Sequence, residues 1–433
     1  MRHYMYFDLL MKVNRKTFLK QLGLVSTGLI APHWLKANKN ERPFLFESND
    51  YSSDAAYWAN IRKLYPISKE VINLNNAAVS PQALPVQAAF VKKHEYSNTA
   101  PSYAMWEKLN EQREPLRHQL ANMLGCTANE IALCRNTTEG LNQIIFGINL
   151  SAGDEVVLSN MDYPFAMNAW KQREERDKIK LSWVTLNAPE ESEAAIIAKF
   201  DKAIGPKTKI VHLTYVINWN GQVLPVKKLT RLAHSKGCKV VIDGAHAFGQ
   251  LDHNMSDLDA DFYATSLHKW IGAPFGTGVF YMKAQLISSI WPLHAAYQPK
   301  SSDIRKFEML GTRSFATEMA VADALNFHQQ IGREKMYCRL IELKNYWVDK
   351  IKNLPKITLY SPVNNDLSCG FATFGIEGYL PQDIVKIFLK ENNIHVSPVN
   401  LVNIKGVRVS PHIYNLTDEL DTMIKLITKL TGK

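Results

Sequence analysis

Between residues 131 and 281, short apolar runs alternate with longer helix-patterned segments, and this alternation limits the fold more than any other property of the chain. Strands are expected at Ile131–Cys134, Glu155–Leu158, Leu181–Thr185, Ile210–Tyr215, Val240–Ile242, Phe262–Thr265 and Gly278–Tyr281. Helices fall between them, as at Val226–Lys236, which stops at Gly237. Parallel neighbours need long crossovers, and helices supply them. The expected architecture is therefore α/β: a mainly parallel seven-stranded sheet flanked by helices. After about Gln298 the pattern changes. Helices are expected at Thr317–Ile331, Glu334–Asn353, Pro381–Asn392 and Thr417–Leu430, with strands around Gly370–Gly375 and Gly406–Val409. That reads as a smaller α+β domain. The expected plan is a leader (1–40), an arm (41–70) with a short helix around Ala55–Tyr65, a large domain (71–299) and a small C-terminal domain (300–433). Two further helices are expected at Pro85–Glu95 and Glu107–Leu124. A length of 433 residues, 46% of them hydrophobic, suits two cores better than one.

Two strand ends carry chemistry. The run Cys238–Ile242 ends on Asp243, within Asp243-Gly244-Ala245-His246. The run Asp261–Thr265 ends just before Ser266-Leu267-His268-Lys269 and a glycine-rich stretch, Gly272–Gly278. Taken singly these are ordinary features: a surface lysine, an Asp-Gly turn, a structural histidine. Together they lie on one edge of one sheet, where ligands of open α/β sheets bind. A lysine that can form a Schiff base, with an acid that keeps a pyridine nitrogen protonated, is the equipment for holding pyridoxal 5'-phosphate (PLP).

These segments resemble the class V aminotransferase group of fold-type I PLP-dependent enzymes. The group includes cysteine desulfurases, kynureninases and isopenicillin N epimerase-like proteins. Its pattern is Asp-x-Ala-(His or Gln), then Ser-x-His-Lys, then a glycine-rich stretch, and the resemblance runs from about Leu74 to about Ser410. It implies a fold-type I transferase with Lys269 as the Schiff-base lysine, Asp243 on the pyridine nitrogen and His246 on the ring hydroxyl. Ser266 and His268 are implied to reach the phosphate. So are Thr137 and Thr138 in Arg135-Asn136-Thr137-Thr138-Glu139-Gly140, Thr138 more strongly. Local sequence alone reads those threonines as helix N-caps, although a helix N-terminus is also an anion site. A ring-stacking residue is expected in Met161–Trp170, where the family often has histidine. This chain has none there; Tyr163 is the choice and Phe165 the alternative, with core packing open to either ring. The loop Gly311-Thr312-Arg313-Ser314 resembles one that reaches the neighbouring subunit's cofactor phosphate, which implies Thr312 in a site shared across a homodimer. An ordinary polar turn would look the same. Arg408, in Val407-Arg408-Val409-Ser410, is the expected anchor of a substrate α-carboxylate, the alternative being a surface ion pair. Asn76 is expected to line the same pocket.

Composition narrows the partners. Residues 1–40 hold seven basic side chains against one acid, which leaves only +4 of the net +10 to the rest. No nucleic-acid footprint is expected from that body. The mixed run Lys171–Lys178 reads as a solvated helix face. Five scattered cysteines, Cys126, Cys134, Cys238, Cys338 and Cys369, show neither metal-ligand spacing nor a complete disulfide framework. No apolar run after residue 40 is long enough to span a bilayer. At the N-terminus, Asn14–Lys20 is basic and precedes the weakly apolar Leu22–Ala31. It resembles a twin-arginine export signal, with Lys16 in place of the second arginine. Export is the expectation, and a leader helix on a cytoplasmic enzyme the alternative.

The function expected is chemistry at the α-carbon of an amino acid, as an aminotransferase or an epimerase-like enzyme. A carbon–sulfur lyase acting on a sulfur-containing amino acid is the alternative. A non-catalytic binding protein of the same fold would be expected to lack Lys269 or Asp243, and both are present. Ile394–Lys405 contains no cysteine, which argues against a desulfurase with a nucleophilic cysteine on the loop before the carboxylate-binding arginine.

Overall fold

A computed structural model describes residues 53–190, 192–401 and 403–432. The leader and the first part of the arm, to residue 52, lie outside the described residues. Among the described residues no helix is long and apolar enough to cross a membrane.

Seven strands form the main sheet: β1 (Ile131–Cys134), β2 (Glu155–Ser159), β3 (Lys180–Val184), β4 (Thr208–Thr214), β5 (Lys239–Asp243), β6 (Phe262–Ser266) and β7 (Gly278–Met282). Their order across the sheet is β1-β7-β6-β5-β4-β2-β3. Only β7 runs against its neighbours. The inner strands are buried along nearly their whole length, as sheets covered on both faces require. Their apolar side chains join helices Thr137–Gly147 and Pro164–Asp177 in one core that includes Ile144, Leu158, Trp170 and Phe280. Parallel register sets Thr214, Asp243 and Ala264 side by side, so the strands end in line. The chain leaves β6 at Ser266, makes the loop carrying Lys269, and returns on β7 with Gly278 opposite Ser266. A Cβ at Gly278 would lie 2.8 Å from Asn136 Cα and 2.8 Å from the Thr265 carbonyl oxygen. Glycine there lets the start of helix Thr137–Gly147 approach the end of β6.

A second, antiparallel sheet contains β8 (Ile357–Leu359), β9 (Ala372–Ile376), β10 (Ser397–Leu401) and β11 (Ile404–Val409), in the order β10-β11-β9-β8. Helices Arg333–Ile351, Pro381–Asn392 and Thr417–Thr431 pack around it through Trp347, Phe388 and Met423. Ile72–Asn73 pairs with Ile394–His395, and Asn75 bridges Ser410, so the segment before the main sheet is tied to this second one.

Two helix expectations change. The segment expected as one helix over Glu107–Leu124 is a π-helical turn at Tyr103–Leu109, a 3₁₀ turn at Asn110–Gln112 and an α-helix only from Arg113. Pro115 explains the break. It fits the first turn of the final helix, but deeper in a continuous helix its ring would strike the carbonyl of Glu111. Thr317–Ile331 is likewise two pieces, Phe315–Met319 and Val321–Ile331, interrupted at Ala320.

Candidate active site

The carboxyl edge of the main sheet opens into a cleft of about 190 Å³. Thr137, Thr138, Tyr163, Phe165, Asp243, Ser266, His268 and Lys269 all line it, so most residues singled out in the sequence come together. Helix Thr137–Gly147 presents its N-terminus here. Its cap is Asn136, whose side chain accepts from the Glu139 N–H at 2.9 Å. The threonines are therefore not the caps that local sequence suggested. The Thr137 N–H donates to Ser266 Oγ at 3.0 Å, and the two hydroxyls are 2.7 Å apart. The His268 ring is bonded through Nδ1 to the Thr277 carbonyl at 3.0 Å, which leaves Nε2 for a ligand. A helix N-terminus with two threonines, a serine and an imidazole edge has the donors to hold a phosphate.

Asp243 is 3% exposed, and one carboxylate oxygen accepts from the Ala245 N–H at 2.9 Å. Burial pushes its carboxyl up, while that hydrogen bond, His212 and Lys269 oppose the shift. A second buried carboxyl lies close by. Asp162 accepts from the Thr214 hydroxyl at 2.7 Å and the Ser159 N–H at 2.8 Å, and burial raises it to about 6. His212 is fully buried, neither ring nitrogen has a partner, and burial lowers it to about 4. Burial also lowers the Lys269 ammonium to about 8, with Asp243 opposing and Arg408 reinforcing the shift. That brings the amine within reach of its neutral, reactive form near neutral pH. Its Nζ is 3.4 Å from His246 Nε2.

Tyr163 is half-buried and Phe165 59% exposed, with ring centroids 5.5 Å apart. Either ring can cover a flat ligand in the cleft.

Arg408, on β11, is buried, and burial lowers its guanidinium to about 10. Nη1 donates to the Asn218 carbonyl at 2.7 Å and Nη2 to Asn75 Oδ1 at 3.2 Å, while buried Nε has no partner. No carboxylate among the described residues lies within ion-pair distance of it. Asn76 does not share this role. Its amide is fully used within the fold, donating to the Ser410 carbonyl at 3.0 Å and accepting from Tyr414 Oη at 2.7 Å. Asn75, one residue earlier, is the side chain that meets Arg408. Sequence reading also missed Asn218, whose buried amide oxygen lacks a partner. Thr312 is exposed and does not line the cleft, and Arg313 is paired with Glu318 and the Gly311 carbonyl.

PLP fits these residues: a cradle for the phosphate, a buried acid for the ring nitrogen, a desolvated lysine for the aldehyde and an aromatic cover. Arg408 is close enough to Lys269 and Tyr163, which line the cleft, to couple electrostatically with both.

Fold and cleft together define a fold-type I enzyme of the PLP-dependent kind. The chain belongs to the aminotransferase class V family, whose model matches residues 72–423. It is 26% identical to an isopenicillin N epimerase of Streptomyces clavuligerus, over 87% of this chain and 99% of that protein. It is 25% identical to a probable cysteine desulfurase of Halalkalibacterium halodurans, over 85% of this chain and 97% of that protein. Among solved structures, the apo cysteine desulfurase of Thermococcus onnurineus NA1 superposes with a TM-score of 0.76 at 22% identity, covering 86% of this chain and 97% of that one.

Proposed function

We propose that this protein is a PLP-dependent enzyme that abstracts the α-proton of an amino acid, with amino transfer or epimerisation as the outcome. The observation that carries this reading is the convergence of Asp243, Lys269 and the N-terminus of helix Thr137–Gly147 in one cleft. When bound, PLP supplies an electron sink for negative charge at the substrate's α-carbon. Asp243, as a buried carboxylate, would hold a proton on the ring nitrogen. Thr137, Thr138, Ser266 and His268 anchor the phosphate. Lys269 Nζ would be the attachment point for the cofactor aldehyde and, as a desolvated amine, the base for the α-proton. Arg408 orients the substrate through its carboxylate, held by Asn75 and by the Asn218 carbonyl.

Carbon–sulfur lyase chemistry is the second reading, because it starts from the same α-proton abstraction. A persulfide-carrying cysteine is disfavoured. Cys369 is fully buried and burial pushes its thiol up to about 12, far from the reactive thiolate such chemistry needs.

We also propose a homodimer. Tyr297 is 96% exposed, and with Trp106, Gly311 and Arg313 it lines a surface cleft of about 780 Å³ beside Thr312. An aromatic so exposed beside the Thr312 loop suits a surface covered by a second subunit.

The test is an amino-acid screen in deuterium oxide with mass detection and visible spectra of the PLP-loaded protein. Deuterium at the α-carbon marks proton abstraction, and the products separate transfer, epimerisation and elimination. If no amino acid exchanges or perturbs the spectrum, the reading fails.

A further inference from the structure

We propose that Trp270 is a positioning residue that fixes the tautomer of His246, and that its stacking with Phe371 and His412 holds it in place to do so. This rests on the PLP reading only for its consequence in catalysis; the geometry stands within the chain itself.

Trp270 follows Lys269 directly and is fully buried. Its indole Nε1–H donates to His246 Nδ1 at 3.4 Å. An indole nitrogen can only donate, so Nδ1 must carry the lone pair and the ring proton must sit on Nε2. Nε2 is the atom 3.4 Å from Lys269 Nζ. Above about pH 8, where Lys269 is the neutral amine and can accept, the indole therefore turns the N–H of His246 toward it, whereas the ammonium form, a pure donor, favours the other tautomer. In the other tautomer two N–H groups would face each other at Trp270, and the lone pair would point at the amine. His246 stays neutral in this setting, because burial and the nearby Lys269 and Arg408 cations all disfavour its charged form. Tautomer choice, rather than charge, is what remains to be set.

The indole is fixed from outside the Lys269 loop. Its ring plane lies within 8° of Phe371 and within 7° of His412, each with centroids 5.9 Å apart. Phe371 leads into β9 and His412 follows β11, so both rings come from the second sheet. The Arg408 guanidinium lies over the Phe371 ring, 5.7 Å from its centroid. Contacts thus run from the proposed carboxylate anchor through Phe371 and Trp270 to His246 and Lys269. Whatever seats Arg408 also steadies the indole that orients His246.

The experiment is ¹⁵N NMR of histidine-labelled apoprotein at about pH 9, above the Lys269 value of about 8, with His246→Gln used to assign the His246 signals. Wild type should show one dominant tautomer, with the proton on Nε2. Trp270→Phe keeps a ring for the stack but removes the donor, and the tautomer ratio should fall by about tenfold, the worth of one hydrogen bond. Should that variant fail to fold, a benzothienylalanine at position 270 keeps the bicyclic shape without the N–H and must give the same result. An unchanged His246 pattern in a folded replacement would overturn the proposal. PLP attachment to Lys269 is measured separately in wild type, so failure of the cofactor reading would be seen apart from failure of the tautomer assignment.

Discussion

Arg408 shows how much a single side chain determines here. Its guanidinium stays cationic at neutral pH even when lowered to about 10, yet no carboxylate of the described residues pairs with it. A buried charge is costly unless it is paired, and the proposed partner is the carboxylate of the substrate. Arg408→Ala should weaken amino-acid binding by ~2–3 kcal/mol, roughly a hundredfold. Arg408→Lys keeps the charge without the planar fork and should recover only part of that. Amino-acid titrations of the PLP-loaded variants check this, and equal affinity in all three would place the carboxylate elsewhere. Arg313 is a poor substitute, since Glu318 already holds it. Asp243, Lys269 and Arg408 were legible as candidates in the sequence because they lie at a strand end, in the loop just after a strand and within a strand, beside recognisable patterns. Asn75 and Asn218 were not. Asn218 meets Arg408 from 190 positions away and Asn75 from 333, and no local pattern records such a contact. Asn76, expected in this pocket, instead sits in a turn with its amide bonded to the Ser410 carbonyl and Tyr414 Oη, contacts that no local pattern records.

At the scale of elements, legibility followed length and burial. All seven strands of the main sheet were placed within two residues, the inner ones because runs buried on both faces read as unbroken apolar stretches. The outer strands of the second sheet were missed. Ile357–Leu359 has three residues, too few to show a period, and Ser397–Leu401 buries only Val399 fully and contains Pro398. Proline is tolerated there because that strand is an edge. The element with the sharpest functional consequence is helix Thr137–Gly147, which stands on a single cap. Asn136→Ala should cost about 1 kcal/mol of stability. It should also weaken PLP binding more than a surface change elsewhere would, because the N-terminal turn it anchors holds Thr137 and Thr138. Thermal melts and PLP titration of apoprotein measure both effects. Loss of stability with undiminished PLP affinity would separate the cap from the phosphate site.

Across the whole molecule, on the proposed reading, two sheets serve one chemistry: the first would supply the base, the ring acid and the phosphate site, and the second the carboxylate anchor, beside the rings that stack with Trp270. The proposed dimer belongs to this scale. Light scattering should find two chains per particle at assay concentration, and a fully active monomer would rule out a site shared through Thr312. The parallel order of the main sheet makes this division possible, because it brings Asp243 and Lys269, 26 positions apart, to one edge. The central claim is that Lys269 holds PLP in this cleft. The most direct measurement is borohydride reduction of the PLP-loaded protein, followed by peptide mapping with mass detection. The account predicts loss of the visible cofactor band and a single pyridoxyl adduct on the peptide containing Lys269. An adduct on another lysine, or none, would contradict it.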